Sequence, residues 1–364
     1  MRFTSVRFDR FRNIANASIS VDSRQVMLVG HNGQGKTNFI EALYVLCYGS
    51  SFKAMNSKEM IAHGEKEFSL AATVLNDDGF EQLVEYSFSE GRRTVKIDGR
   101  EIKDRKELIY NVPCIVFSHD DISFVRGEPE FRRRFFDQTM SMYNPLFFDD
   151  MRRYKAVLRQ RNAAIKEERS SLVPIYDHQL ATYGIDIQRE RIKAVYEFNR
   201  IFPAMYKQVS RTDKEIRIEY LPSWGDCATA DDAEDKLGRT LQRDFKLQTT
   251  ASGVHRDRFI VMDEHGPFAL TGSTGQLRLA SLIFRMAQTA FFRNKTGKEP
   301  VLLVDDVLLE LDIQRRGAFL DLMDGYSQAF FTFLPEEQYF SSLADVGSLV
   351  YDVSDGRFSK HEGR

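Results

Sequence analysis

The sequence predicts an α/β protein: a mixed sheet with an antiparallel β subdomain, and a helical lobe inserted between the two halves of that framework. Three observations carry this. An apolar run, Val26-Met27-Leu28-Val29, enters a glycine-rich loop and is followed by Phe39, Ile40, Leu43 and Leu46 at helical spacing, which reads as strand, loop, helix. Residues 68–74, 82–88 and 93–97 alternate apolar and polar, joined by the turn signals at 76–79 and Asp98-Gly99, which reads as a meander with one wet face. Residues 126–200 are dense in Arg, Lys, Glu, Met and aromatics with few strand or turn signals, which reads as antiparallel helices too short and irregular for a long coiled coil.

The loop supplies the first chemistry. Gly30 opens a Gly-x-x-x-x-Gly-Lys-Thr pattern that closes on Gly35, Lys36 and Thr37. Such glycines let backbone N–H groups turn inward on phosphate oxygens, and the following helix N-terminus adds its positive dipole end. Lys36 is expected to reach the β- and γ-phosphates of ATP, and the Thr37 hydroxyl to bind Mg²⁺. His31, Asn32, Gly33, Gln34 and Asn38 complete the candidate nucleotide-contacting set.

The chain has 364 residues, 42% hydrophobic and 29% charged, ordinary for a globular protein large enough for more than one lobe. With no run of about 18 apolar residues and no apolar signal-peptide centre near the N-terminus, a cytoplasmic protein without membrane contact is expected. Cys47, Cys114 and Cys227 have no metal-ligand spacing and read as buried free thiols. A formal charge of −2 argues against a constitutively sticky nucleic-acid binder and leaves room for a local basic surface.

In chain order, short strands at 2–8, 17–21 and 25–29 feed the loop, with Arg12 and Asn13 in the turn between them. These two are either nucleotide contacts or ordinary turn residues. Residues 112–117 form another apolar strand. In the helical lobe, Met151, Tyr154, Leu158 and Ile165 keep helical spacing, as do Ile185, Ile192 and Tyr196. Arg132, Arg133 and Arg134, with Arg152, Lys155, Arg159 and Lys166, are either a solvated face or contacts to nucleic-acid phosphates. A strand at 215–221 and a polar helix at 230–245 follow. Past a strand beginning at Arg256, which meets either a phosphate or an acid, the loop Thr271-Gly-Ser-Thr-Gly-Gln precedes an apolar helix at 277–292. Ser273 and Gln276 either contact nucleotide or cap that helix. Four apolar residues then end in Asp305, a Walker B pattern that puts Asp305 on Mg²⁺, with Asp306 placed either to polarise the attacking water or to support the metal from behind its ligands. An apolar strand at 329–334 completes the pattern. The expected division is 1–119 and 251–364 for the two halves of the nucleotide-binding framework, with 120–250 as the inserted lobe.

P-loop, serine loop and Walker B in this order resemble the ATP-binding-cassette heads of the SMC and recombination-repair ATPases. That resemblance implies an ABC-type P-loop head in which Ser273-Thr274-Gly275-Gln276 touches the γ-phosphate held by the opposite subunit. Leu311-Asp312 matches the D-loop of the dimer interface, so two protomers would sandwich two ATP molecules. Within the class the chain resembles the RecF family of bacterial recombination mediators. The matching phrases are Phe11-Arg12-Asn13, Phe117-Ser118-His119-Asp120-Asp121 with Gly127-Glu128-Pro129 and Arg132-Arg133, His255-Arg256-Asp257, and Asp305-Asp306-Val307 with Glu310-Leu311-Asp312. The chain departs from the family pattern at His119, Asp120, Val254, Leu309 and Arg258, the last standing where a second Asp is expected. The resemblance implies weak DNA-stimulated ATP hydrolysis by a homodimer that binds duplex or gapped DNA in repair, recombination, replication and the SOS response. It implies RecR as a partner, and indirectly RecO and RecA. The alternatives are a nuclease-coupled head or a transporter-associated head, and the family phrases argue against both.

Overall fold

The computed structural model describes residues 1–337 and 347–361. The N-terminal segment starts with β1 (Arg2–Asp9), β2 (Ala17–Ser20), β3 (Gln25–Val29) and α1 (Lys36–Tyr48). The meander follows as β4 (Phe68–Leu75), β5 (Glu81–Ser89), β6 (Arg92–Ile97) and β7 (Arg100–Glu101). Its strands reverse at Glu90-Gly91 and Asp98-Gly99, where φ is positive at both central residues (52° and 77°, 50° and 77°). Two such residues give the turn twist that matches antiparallel strands. Helix α2 (Arg105–Asn111) then leads into β8 (Cys114–Phe117), which is buried throughout although it ends its sheet.

The middle segment holds α3 (Ser123–Arg126), α4 (Pro129–Ser141), α5 (Pro145–Lys166), α6 (Val173–Phe198) and α7 (Phe202–Ser210). Each of the last four carries a proline in its first turn, where a missing N–H costs nothing. Next come β9 (Arg217–Leu221), α8 (Ala230–Leu247) behind a Thr229/Asp232 capping box, and β10 (Arg258–Asp263). β11 (Gly266–Pro267), α9 (Phe268–Thr271) and α10 (Thr274–Thr296) close the segment. The C-terminal segment supplies β12 (Val301–Val304), α11 (Ile313–Leu322), β13 (Gln328–Phe333), β14 (Leu349–Ser354) and β15 (Arg357–Lys360).

Two compact units result: Met1–Asp120 with Phe292–Arg364, and Asp121–Phe291. This division places residues 251–291, with the Ser273 loop, in the second unit. The first unit contains an antiparallel sheet of order β2-β1-β4-β5-β6-β7 and a mixed sheet of order β15-β14-β3-β13-β12-β8. In the mixed sheet, β14, β3, β13, β12 and β8 run parallel and β15 closes the edge antiparallel. Helix α1 touches β4 and β5 on one side and β8, β12 and β13 on the other. Phe39 on α1 joins the two sheets, its ring 5.3 Å from that of Phe8 and 6.0 Å from that of Phe330. The phosphate loop is therefore anchored from both faces.

The second unit packs Phe135, Phe136, Phe198 and Phe284 edge-to-face or stacked. It also buries two arginines. Arg161 is held by Asp177 and Asp244 at 2.5 and 2.6 Å, and Arg191 by Asp137 and Asp257 at 2.8 and 2.7 Å. Of the apolar residues at helical spacing, Met151, Tyr154, Ile165 and Ile185 are buried and Leu158 is half-buried, but Ile192 and Tyr196 are 50% and 68% exposed. Asp177, Gln188 and Arg191 occupy the inner face of α6 through polar contacts, so its buried stripe runs differently from its apolar one. Cys47, Cys114 and Cys227 are buried and unbridged.

Candidate nucleotide site

The site forms where parallel strands end. β3 stops at Val29 and the chain turns through Gly33 (φ 80°) and Gly35 (φ 116°), conformations that a Cβ would strain. Gly30 is needed for space: a Cβ there would come within 2.4 Å of the Val353 carbonyl oxygen. Lys36 folds back into the loop, 3% exposed, and its Nζ donates to the carbonyls of Gly30 (2.7 Å) and His31 (3.2 Å). The same Nζ lies 3.8 Å from Asp306 Oδ2.

β12 delivers the acids. Asp305 N–H donates to Phe117 O at 3.0 Å, fixing the strand end against β8. Thr37 Oγ1 donates to Asp305 Oδ1 at 3.0 Å, joining the loop to the Walker B carboxylate. Thr332, on the neighbouring strand β13, ties both acids together. Its hydroxyl lies 3.2 Å from Asp305 Oδ1 and 2.9 Å from Asp306 Oδ1, and accepts from the Asp306 N–H at 2.7 Å. Asp306 takes a left-handed backbone (φ 51°), which aims its side chain toward Lys36. Burial first, and the Asp306 charge second, push the Asp305 carboxyl up to about 6.

The rim is built from three segments. Asn13 Nδ2 donates to Gly33 O at 3.0 Å, and Asn38 Nδ2 to Asn13 Oδ1 at 2.7 Å. The β14–β15 turn docks on the loop: Asp355 N–H donates to Gln34 Oε1 (2.6 Å) and Gly356 N–H to Gln34 O (2.9 Å). His31 and Asn32 are exposed, with His31 Nδ1 3.6 Å from Glu336. Arg12 behaves differently. Its guanidinium forks onto Glu41, a fully buried carboxylate on α1, at 2.8 and 2.9 Å. Moving it to a phosphate would leave Glu41 buried without that partner, so the geometry favours the turn role over the expected nucleotide contact.

The profile of the RecF/RecN/SMC N terminal domain family matches residues 2–356. The DNA replication and repair protein RecF of Treponema pallidum is 39% identical over 346 residues, covering 95% of this chain and 97% of that one. The chain belongs to the RecF family. RecF of Leptospira interrogans (serovar Lai) is 31% identical, with 88% of each chain covered. A solved structure of the recombination mediator protein RecF with ATP, in the RecFOR pathway, superposes with a TM-score of 0.90 at 26% identity. It covers 99% of this chain and 97% of that one. A solved Smc head bound to the C-terminal winged-helix domain of ScpA, at TM-score 0.59 and 16% identity, shares the fold.

The RecF-type motifs outside the loop adopt local capping roles in this structure. Ser273 N–H donates to Gln276 Oε1 (2.9 Å) and Gln276 N–H to Ser273 Oγ (3.3 Å), a reciprocal cap at the start of α10. Ser273 and Gly275 are exposed. Asp312 caps α11 through Arg315 N–H at 2.9 Å, flanked by exposed Leu309 and Ile313. Arg256 donates to the Thr250 carbonyl from Nε (3.3 Å) and Nη2 (3.1 Å), with no ion pair to an acid among the described residues. Thr332 is the site residue that motif reading missed. Its signal was a lone hydroxyl inside Phe330-Phe331-Thr332-Phe333, one position past the register pair Val304–Phe331 and so level with Asp305.

Proposed function

We propose that this RecF-family protein is a cytoplasmic, ATP-dependent DNA-binding protein of recombinational repair and replication-gap processing. ATP closes two copies into a dimer that clamps duplex or gapped DNA, and with RecR and RecO it promotes RecA loading. The observation that carries the reading is the junction of Lys36, Thr37, Asp305, Asp306 and Thr332 at one sheet edge, in a chain whose RecF relatives match it almost end to end.

The residues present fit ATP and Mg²⁺. Asp306 faces the buried Lys36 and Asp305 meets the Thr37 hydroxyl, a hard-oxygen donor set with negative charge in excess. Thr37 and Asp305 would hold Mg²⁺, which when bound neutralises charge on the β- and γ-phosphate oxygens. Lys36 binds the phosphates, and Gly33, Gly35 and Asn13 shape the loop around them. Asp306 orients a water and takes its proton as the water oxygen bonds to the γ-phosphorus and ADP leaves. Ser273, Gly275 and Gln276 of the partner subunit complete the site across the dimer, with Asp312 at the interface. Only ATP offers a γ-phosphate to both subunits, so only ATP favours closure. Turnover is accordingly slow and DNA-stimulated, and hydrolysis releases the clamp.

Retention of a labelled gapped duplex by the full chain tests this. Retention with ATP and Mg²⁺, and its loss with ADP, is expected. Equal retention in both nucleotides, or none in either, removes the clamp.

A further inference from the structure

The second unit brings together arginines that sequence separates by more than a hundred residues. Helix α4 packs along β10, with the Phe136 ring stacked on Phe259 at 4.4 Å. Arg133, on the same helix, reaches the strand: its Nη1 donates to the Asp257 carbonyl at 2.8 Å. Arg132 turns toward α3, donating to Val125 O (3.3 Å) and Gly127 O (2.8 Å), and leaves its buried Nε without an acceptor. Arg258 opens β10 beside Asp257, its side chain exposed and with no hydrogen bond or ion pair among the described residues.

These three guanidiniums lack the carboxylate partners that hold the buried Arg161 and Arg191. Just behind them, Arg191 is neutralised by Asp137 and Asp257. None of Arg132, Arg133 and Arg258 has a carboxylate within ion-pair reach among the described residues. Glu128 is felt electrostatically by Arg132, and Asp137, Glu130 and Asp257 by Arg133, yet none of them forms an ion pair with either. Burial, then the Arg258 charge, pulls Arg132 below the ordinary arginine value. Like charges gathered at a half-exposed surface are an unfavourable arrangement until an anion arrives.

We propose that Arg132, Arg133 and Arg258 form a contact surface for the sugar-phosphate backbone of DNA. Guanidinium forks match phosphate oxygens and carry no base information, so the contact is indifferent to sequence. The proposal rests on the DNA-binding reading above.

The test is fluorescence anisotropy of the full chain with a labelled gapped duplex and ATP, repeated over a series of salt concentrations. Arg258→Asp should weaken binding by about tenfold or more and shrink the salt slope by about 0.9 for each phosphate that is no longer neutralised. Arg258→Lys should retain most of both. Arg258 makes no bond that holds the fold, and an unchanged melting temperature of Arg258→Asp checks this. Wild-type affinity and slope in Arg258→Asp overturn the surface while DNA binding stands, and point its charge at an acidic protein instead. Weaker binding with an unchanged slope overturns it too, by showing an indirect role. A wild-type chain that binds no DNA with ATP removes both readings.

Discussion

Thr332 does with one hydroxyl what two carboxylates require. It has a single proton to donate and also accepts from the Asp306 N–H, so it fixes the two acids relative to each other. Thr332→Val keeps the shape but strands that N–H. We expect turnover to fall about tenfold, equivalent to about 1.4 kcal/mol, with KM for ATP little changed. A rise in KM at constant kcat would instead make Thr332 a binding residue. His255 makes a different kind of prediction. Its Nε2 faces the Thr250 carbonyl at 3.0 Å and its Nδ1 faces the Tyr154 hydroxyl at 2.8 Å, the pattern of a neutral ring. Burial, with the nearby Arg256, Arg133 and Arg161 charges, lowers its pKa to about 4. The unfolded chain therefore binds this proton first, and the stability His255 contributes is full above about pH 6.5 and lost as pH falls toward 4. Between pH 8 and pH 5 that loss is about 2 kcal/mol, and denaturant titrations of His255→Gln should show a correspondingly smaller pH dependence. Motif spacing made Lys36, Thr37, Asp305 and Asp306 legible because phosphate and metal chemistry constrain residue type and interval together. Arg12 and Arg256 were not legible, since their partners, Glu41 and the Thr250 carbonyl, are set by tertiary packing.

At the scale of elements, the β14–β15 hairpin is the part of the site that strand reading passed over. Its signal was present: Asp355-Gly356 sits between two short alternating runs, and both residues adopt positive φ (47° and 70°). Its consequence was not readable, because the turn docks on a loop more than three hundred residues away. Gly356 allows that approach, since a Cβ there would lie 1.9 Å from the Asn13 carbonyl oxygen. Gly356→Ala should push the turn off the Gln34 loop and weaken ATP binding by calorimetry about tenfold, or about 1.4 kcal/mol. Wild-type affinity in that variant would show that the hairpin only closes the sheet edge. The meander and the parallel strands were legible because alternation and fully apolar runs reflect one wet face or none. The long helices α5 and α6 were legible as helices, whereas the face α6 buries was not, because ion pairs as well as apolar contacts define it.

For the whole molecule, the account depends on assembly. The structure places Ser273 and Gln276 in a local cap at the start of α10 with Ser273 exposed, and leaves Leu309 and Ile313 exposed around Asp312. Surfaces of this kind are costly in an isolated chain and useful in a dimer that forms only with ATP. Among the described residues no helix is long and apolar enough to cross a membrane. The central claim is that ATP, and not ADP, joins two copies through Ser273. Light scattering of the full chain with ATP and Mg²⁺, with ADP and without nucleotide, beside Ser273→Arg, tests it directly. The account predicts twice the 42.1 kDa chain mass for the wild type with ATP only, and a monomer for Ser273→Arg that still binds ATP. A wild type of the same mass in every nucleotide state, or a Ser273→Arg protein that dimerises like the wild type, would contradict it.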